Sequence, residues 1–293
     1  MMRGAPAVVC SVGAMLGEGP CWSVADRMLW FVDIKRAQVH RFNPATDALE
    51  SWAAPAQPGW ILPVDDGTLM TGLDTGLHRF DPLGGTFDLI IEVEPDVPDN
   101  RLNDATVDQA GRLWFGSMDD KEAAPTGQVY RLDRGALARA DIAPVTITNG
   151  PAFSPDGATL YHVDTLARTI HAFDVAPDGS LKGHRIFARI APDDGYPDGP
   201  TVDSEGCLWI ALFGGWGVRR YSPAGELLEF IRFPVANVTK VAFGGDDLRT
   251  AYTTTARKGL SPAALIEQPH AGDLFSFGVD VPGLAMTAIS IGH

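Results

Sequence analysis

One short pattern recurs six times along the chain at nearly even spacing. A turn followed by a Leu-aromatic strand appears as Asp26-Arg27-Met28-Leu29-Trp30-Phe31, Asp66-Gly67-Thr68-Leu69-Met70 and Gly111-Arg112-Leu113-Trp114-Phe115. It continues as Asp156-Gly157-Ala158-Thr159-Leu160-Tyr161, Gly206-Cys207-Leu208-Trp209-Ile210 and Asp247-Leu248-Arg249-Thr250-Ala251-Tyr252. Positions 29, 69, 113, 160, 208 and 251 lie 40, 44, 47, 48 and 43 residues apart. A second unit follows each first one, as in Val39-His40-Arg41-Phe42, Leu77-His78-Arg79-Phe80 and Val218-Arg219-Arg220-Tyr221. These alternate apolar and polar residues, as half-buried strands do, and most then enter a turn such as Asn43-Pro44 or Asp81-Pro82. Helix signals are nearly absent.

Six repeats of about 45 residues, each built of short strands, fit propeller blades better than a solenoid. Six blades take up about 270 residues, so the whole chain, residues 1–293, reads as one six-bladed β-propeller domain. The leftover ends, Ala7–Val12 and Ala285–Ile291, are both strand-like and are expected to pair in one blade and close the ring.

Charge removes several classes of partner. With 37 Asp and Glu against 23 Lys and Arg, the net charge is −14. Nucleic acid and anionic membrane surfaces are therefore not expected partners. No apolar run reaches the roughly 18 residues of a membrane helix. Cys10, Cys21 and Cys207 form neither a disulfide framework nor a zinc motif, which suits reduced thiols in the cytoplasm. Arg3 and the apolar residues after Ala5 faintly resemble a secretory leader, but the stretch is short and reads better as a first strand. A monomer or weak oligomer is expected.

Phasing the repeats lines up a pentad before each turn, beginning at Glu18, Trp60, Asn103, Asn149, Asp198 and Thr239. In a propeller these first positions meet at one mouth of the central channel. Two carboxylates and two carboxamides converging there are costly to desolvate unless something pairs with them. Oxygen ligands of this kind suit one divalent cation: Ca²⁺, Mg²⁺, Mn²⁺, Fe²⁺ or Zn²⁺. Asn and Asp before Gly are also ordinary turn residues. Glu is not, and Glu18, Asn149 and Asp198 share both the phase and a following Gly-Pro.

Arg101 either snorkels over the rim or anchors a polar substrate beside the metal, since its donor fork suits vicinal oxygens. The histidines, among them His40, His78, His162 and His171, share no pentad phase and read as strand residues. Cys21 and Cys207 read as core residues and not as nucleophiles.

Leu16-Gly17-Glu18-Gly19-Pro20, Arg101-x-Asn103-Asp104, Thr148-Asn149-Gly150-Pro151 and Tyr196-Pro197-Asp198-Gly199 together resemble the motifs of the regucalcin/gluconolactonase family. The resemblance runs from about Leu16 to Lys258. It implies a six-bladed propeller that binds one divalent cation and hydrolyses a sugar lactone to the free sugar acid. By motif, Glu18, Asn149 and Asp198 would hold the metal, and Asp198 would also be the catalytic acid/base. Arg101 and Asn103 would bind substrate hydroxyls. The segments around Asp33-Ile34-Lys35, His162-Val163-Asp164-Thr165 and Asn237-Val238-Thr239-Lys240 are most similar to bacterial xylonolactonases and arabinonolactonases. Animal regucalcins carry an acidic pair after a Gly-Thr-Met segment, whereas Gly116-Ser117-Met118 leads here into Asp119-Asp120-Lys121-Glu122. The motif does not say which of Asp119, Asp120 and Glu122, if any, reaches the site. Sugar discrimination is expected in rim loops such as Ala53–Trp60, Asp119–Gly127 and Gly214–Trp216.

Two rivals share the fold. A paraoxonase-like ester or phosphotriester hydrolase would carry a catalytic His dyad and a secretory context, and neither is evident. A non-catalytic Ca²⁺-binding propeller would bind metal without turnover.

Overall fold

In the computed structural model, which describes residues 4–291, each repeat becomes a meander of antiparallel strands. The first consists of Gly17–Ser23, Met28–Asp33, Gln38–Asn43 and Ala48–Ala53, paired in that order. Three more four-stranded sheets follow: from Trp60–Pro63 to Thr86–Glu92, from Asn100–Val107 to Ala136–Arg139, and from Thr148–Phe153 to Leu181–Arg189. The remaining strands make one eight-stranded sheet, two meanders joined by a single parallel bridge between Gly199 and Lys240. Arg3 of the leader-like stretch lies outside the described residues, as do the other ends of the 1–293 domain reading.

Turn chemistry accounts for the recurring Leu-Trp signature. Asp108 accepts from the Ala110 and Arg112 N–H groups with one oxygen, and with the other from Trp114 Nε1 at 2.9 Å and Arg112 Nε at 2.6 Å. Asp203 repeats the arrangement with Glu205, Cys207, Trp209 and Arg220. One buried carboxylate thus closes the turn, fixes the indole of the next strand and is itself fully partnered.

The first strands of successive sheets pack side by side in sequence order. Val238–Gly244 then returns to Gly17–Ser23 and closes a ring. Burial falls outward, from Val238–Gly244, buried throughout, to outer strands such as Leu181–Arg189, which are mostly exposed. Between the sheets sit fully buried side chains such as Trp60, Trp114, Phe31 and Phe115. Burial of each such Phe contributes about 1.5–3 kcal/mol.

The termini do not pair with each other, contrary to the strand-like reading of both. Ala7–Cys10 pairs with Leu274–Gly278, Val8 standing opposite Phe275, and supplies the fourth strand that the last meander lacks. That covers an otherwise open edge. Residues 285–291 form no strand. The chain turns at Gly283, whose N–H bonds to the Leu248 carbonyl and whose missing side chain leaves room for Phe243. It then crosses the ring, with Ile289 bonded to Pro63 and Asp65 and Ser290 to Gly111. Met286, Ile289 and Ile291 look like strand residues in composition, but they pack down onto the core. This segment borders a cavity of about 240 Å³ on the side away from the polar pentad residues.

Candidate active site

Five of the six ring strands break their pairing register at or near the first pentad residue. The breaks lie between Glu18 and Cys21, Leu102 and Ala105, Asn149 and Ala152, Pro197 and Pro200, and Val238 and Lys240. A bulge bends the strand and re-aims a side chain. Gly19 and Gly150, at φ 55° and 78°, make the bend available. The result gathers Glu18, Asn103, Asn149 and Asp198 onto one cavity of about 290 Å³. The other two first positions do not line it. Trp60 is packed in the core, and Thr239 donates to the Gly17 carbonyl at 2.6 Å.

The cavity floor holds more negative charge than it can easily keep. Glu18 is 6% exposed and Asp198 7%. Burial and then the Asp104 carboxylate push Glu18 up to about 7, against smaller opposing pulls from the Gly19 N–H, Lys240 and Arg101. Burial, Glu18 and Asp104 together hold Asp198 well above the ordinary carboxylate range. Neither has a cation of its own, because Asp104 engages Lys240 and Asp120 engages Arg101. Asn149 accepts from Asn103 Nδ2 at 3.1 Å through Oδ1 and donates to Thr165 Oγ1 at 2.9 Å. A carboxamide oxygen has two lone pairs, so one remains for a ligand. Among the described residues no three His, Cys, Asp or Glu side chains cluster as metal ligands. The set here is two carboxylates and one carboxamide, hard oxygen donors with uncompensated charge, and it fits a divalent cation.

Arg101 does not snorkel. It is 3% exposed and lines the cavity, held by Nε to Asp120 at 2.7 Å and by Nη1 to Asn103 Oδ1 at 2.7 Å and the Leu102 carbonyl at 3.1 Å. The three acids after Met118 divide their roles. Asp119 accepts N–H bonds from Lys121, Ala123 and Ala124 and so shapes the loop. Asp120 braces Arg101 and also accepts from Lys35 at 2.5 Å and Gln57 at 3.3 Å. Burial pushes its carboxyl up, but these bonds and the Arg101 charge outweigh that and bring it to about 2. Glu122 is the acid that reaches the cavity, where it pairs with Lys258. Of the three rim loops, Asp119–Gly127 contributes directly through Glu122. Ala53–Trp60 acts through Gln57 on Asp120, and the third contributes only its neighbour Phe213 to the lining.

Asp104 and Lys240 stand in motifs of the sequence without a role that the sequence alone assigns. Asp104 and Lys240 occupy the second pentad position, where three other repeats have Gly, and they form an ion pair beside the carboxylates. The signal was there: a charge at a small-residue position of an inner strand. Asp33 accepts the Met15 and Leu16 N–H groups and so sets Leu16 at the cavity wall. Among the described residues no histidine lines the cavity. Cys21 is buried, and desolvation pushes its thiol up to about 12, which suits a core residue.

Residues 16–257 match the family model described as SMP-30/Gluconolactonase/LRE-like region. The chain belongs to this family. L-arabinolactonase of Azospirillum brasilense is 40% identical to it over 264 residues, covering 89% of this chain and 87% of that one. The 6-deoxy-6-sulfogluconolactonase of Pseudomonas putida is 34% identical, covering 93% and 94%. The crystal structure of the calcium-binding protein regucalcin from Agrobacterium tumefaciens superposes with a TM-score of 0.93 at 29% identity, covering 98% and 97%. The all-β architecture is thus the SMP-30/regucalcin propeller fold.

Proposed function

We propose that this SMP-30/gluconolactonase family member hydrolyses a sugar lactone to the open sugar acid at the Glu18–Asn149–Asp198 cavity. The observation that carries the reading is the convergence of two uncompensated buried carboxylates with Asn149, Asn103 and Arg101 on one cavity. A volume of about 290 Å³ suits a single sugar ring. The names of the relatives, an arabinolactonase and a sulfogluconolactonase, support the same class of substrate.

Glu18, Asn149 and Asp198 would hold one divalent cation, which supplies Lewis acidity at the lactone carbonyl and acidifies water. Asp198 takes the proton from the attacking water as its oxygen bonds to the acyl carbon, and returns it to the ring oxygen as the acyl C–O bond breaks. Arg101 and Asn103 hold the ring hydroxyls and fix the approach of the acyl carbon. Arg101 is suited to this because Asp120 and Asn103 hold its fork before substrate arrives. The Glu122–Lys258 pair stands at the same cavity as the group that sorts sugars.

In the same reading the eight-stranded sheet is two blades touching at one bridge, so the chain is a single domain of six blades. The test of function is a panel of pentono- and hexonolactones followed by acid release, with a phosphotriester alongside. Turnover of a lactone and not of the phosphotriester is expected. Turnover of neither lactone class by metal-loaded protein refutes the proposal.

A further inference from the structure

Lys240, on the last ring strand, borders the cavity of about 240 Å³ behind the polar pentad residues and ends against Asp104, with 9% and 3% of the two side chains exposed. Its stem lies where Gly199 has no side chain. A Cβ at Gly199 would stand 2.6–2.8 Å from Lys240 Cβ, Cγ and Cδ. Lys240 therefore packs directly beside the backbone that carries Asp198. On the other side, Asp104 Oδ2 accepts the Gly150 N–H at 2.8 Å, next to Asn149. Asn103, adjacent in sequence to Asp104, bonds Asn149 itself. One ammonium thus braces the flanks of two of the three proposed ligands. It also bears on the third, Glu18, through its charge.

The charge count gives this contact a purpose. Glu18, Asp104 and Asp198 are three carboxylates, and Lys240 is the cation bonded among them, because Arg101 is committed to Asp120. Three negative charges and one positive leave two, the number that a single divalent cation neutralises. Without Lys240 the group would carry three, and Asp104 would keep only the Ala105 and Gly150 N–H groups as partners. Without Asp104 it would carry one, and the ammonium would be free to turn to Glu18.

We propose that Lys240 and Asp104 are positioning residues that set the charge of the metal site, Lys240 acting as a built-in counter-cation beside the ligand set. This rests on the proposed metal site, which the same experiment tests separately. At a buried site a unit change of charge acts strongly on a bound dication, and the two single substitutions act in opposite directions. A pair that served only to stabilise the fold would weaken the site alike from either side, since each single substitution strands a buried charge.

The experiment is calorimetric titration of the metal-stripped full chain with Mn²⁺, for wild type, Lys240→Met, Asp104→Asn and the double variant. Asp104→Asn is expected to weaken Mn²⁺ binding at least tenfold and Lys240→Met to tighten it at least tenfold. The double variant is expected to return within about threefold of wild type. Melting temperatures with and without Mn²⁺ give a second readout, in which Lys240→Met gains more from metal than wild type does. If Lys240→Met does not fold, weakening in Asp104→Asn and its reversal in the double variant carry the test. Both single variants weakening alike, or no reversal in the double variant, overturns the inference while leaving the metal site standing. Wild type that binds no Mn²⁺ overturns both.

Discussion

Asp120 is the residue whose removal separates bracing from contact. Arg101 has three bonds, to Asp120, Asn103 and the Leu102 carbonyl, and only the first is to a charged partner. Asp120→Ala leaves the guanidinium, 3% exposed, with two neutral acceptors and no bonded counter-charge. A hydrogen bond to a charged group contributes about 1.5–3 kcal/mol. If that energy serves to hold the fork in its substrate-binding position, kcat/KM falls by about 10- to 150-fold. Asp120→Asn keeps the shape and an acceptor but loses the charge, so it is expected near the lower end. Lys35 loses its partner as well, yet it lies at the rim, and its contribution to stability is small. The assay is lactone hydrolysis by pH-stat over a concentration series, with circular dichroism to confirm the fold. Values of kcat and KM both within twofold of wild type in Asp120→Ala would refute the bracing argument.

Three further outcomes are expected. Asp198→Ala abolishes turnover, by at least about a thousandfold, and the metal-free protein keeps its fold, because the substitution removes a carboxylate that burial and Glu18 already disfavour; a twofold loss would contradict its role. Metal-free protein loses stability as pH rises. Glu18 is raised from 4.5 to about 7, so the folded state holds its proton more tightly; the stabilisation is complete below about 4.5 and lost as pH passes 7, about 3 kcal/mol in all. Denaturant melts at pH 4.5, 6 and 8 check this, and stability rising over that range in Glu18-dependent fashion would reverse the sign. Deleting the residues before Gly13 exposes the Leu274–Gly278 edge and removes Val8, Val9 and Cys10 from their apolar contacts, so the melting temperature is expected to fall by several degrees; an unchanged value would contradict the closure.

Much of this was legible because repetition makes a sequence its own alignment. Two of the Leu-Trp turns repeat because the same Asp holds the same indole, as Asp108 and Asp203 do. The ring's polar mouth was legible since Glu18, Asn149 and Asp198 depart together from what a tight inner strand prefers. What escaped lay outside the period or beneath it. Residues 285–291 have strand composition, but their place is set by contacts to two distant turns, which no local pattern encodes. Asp104 and Lys240 are 136 positions apart, and each alone looks like an intruder in a small-residue position. Only their pairing makes burial of either affordable. The acids after Met118 could not be sorted by spacing, because their roles follow from which way a loop turns: Asp119 inward to its own backbone, Asp120 to Arg101, and Glu122 to Lys258.

The central claim is that this cavity uses a divalent cation held by Glu18, Asn149 and Asp198 to open a lactone. Its most direct measurement is acid release from a sugar lactone by the same preparation before stripping, after exhaustive chelation and after readdition of one equivalent of metal. The account predicts that turnover falls to the uncatalysed rate on stripping and returns with one equivalent. Equal rates in the stripped and restored protein would contradict it.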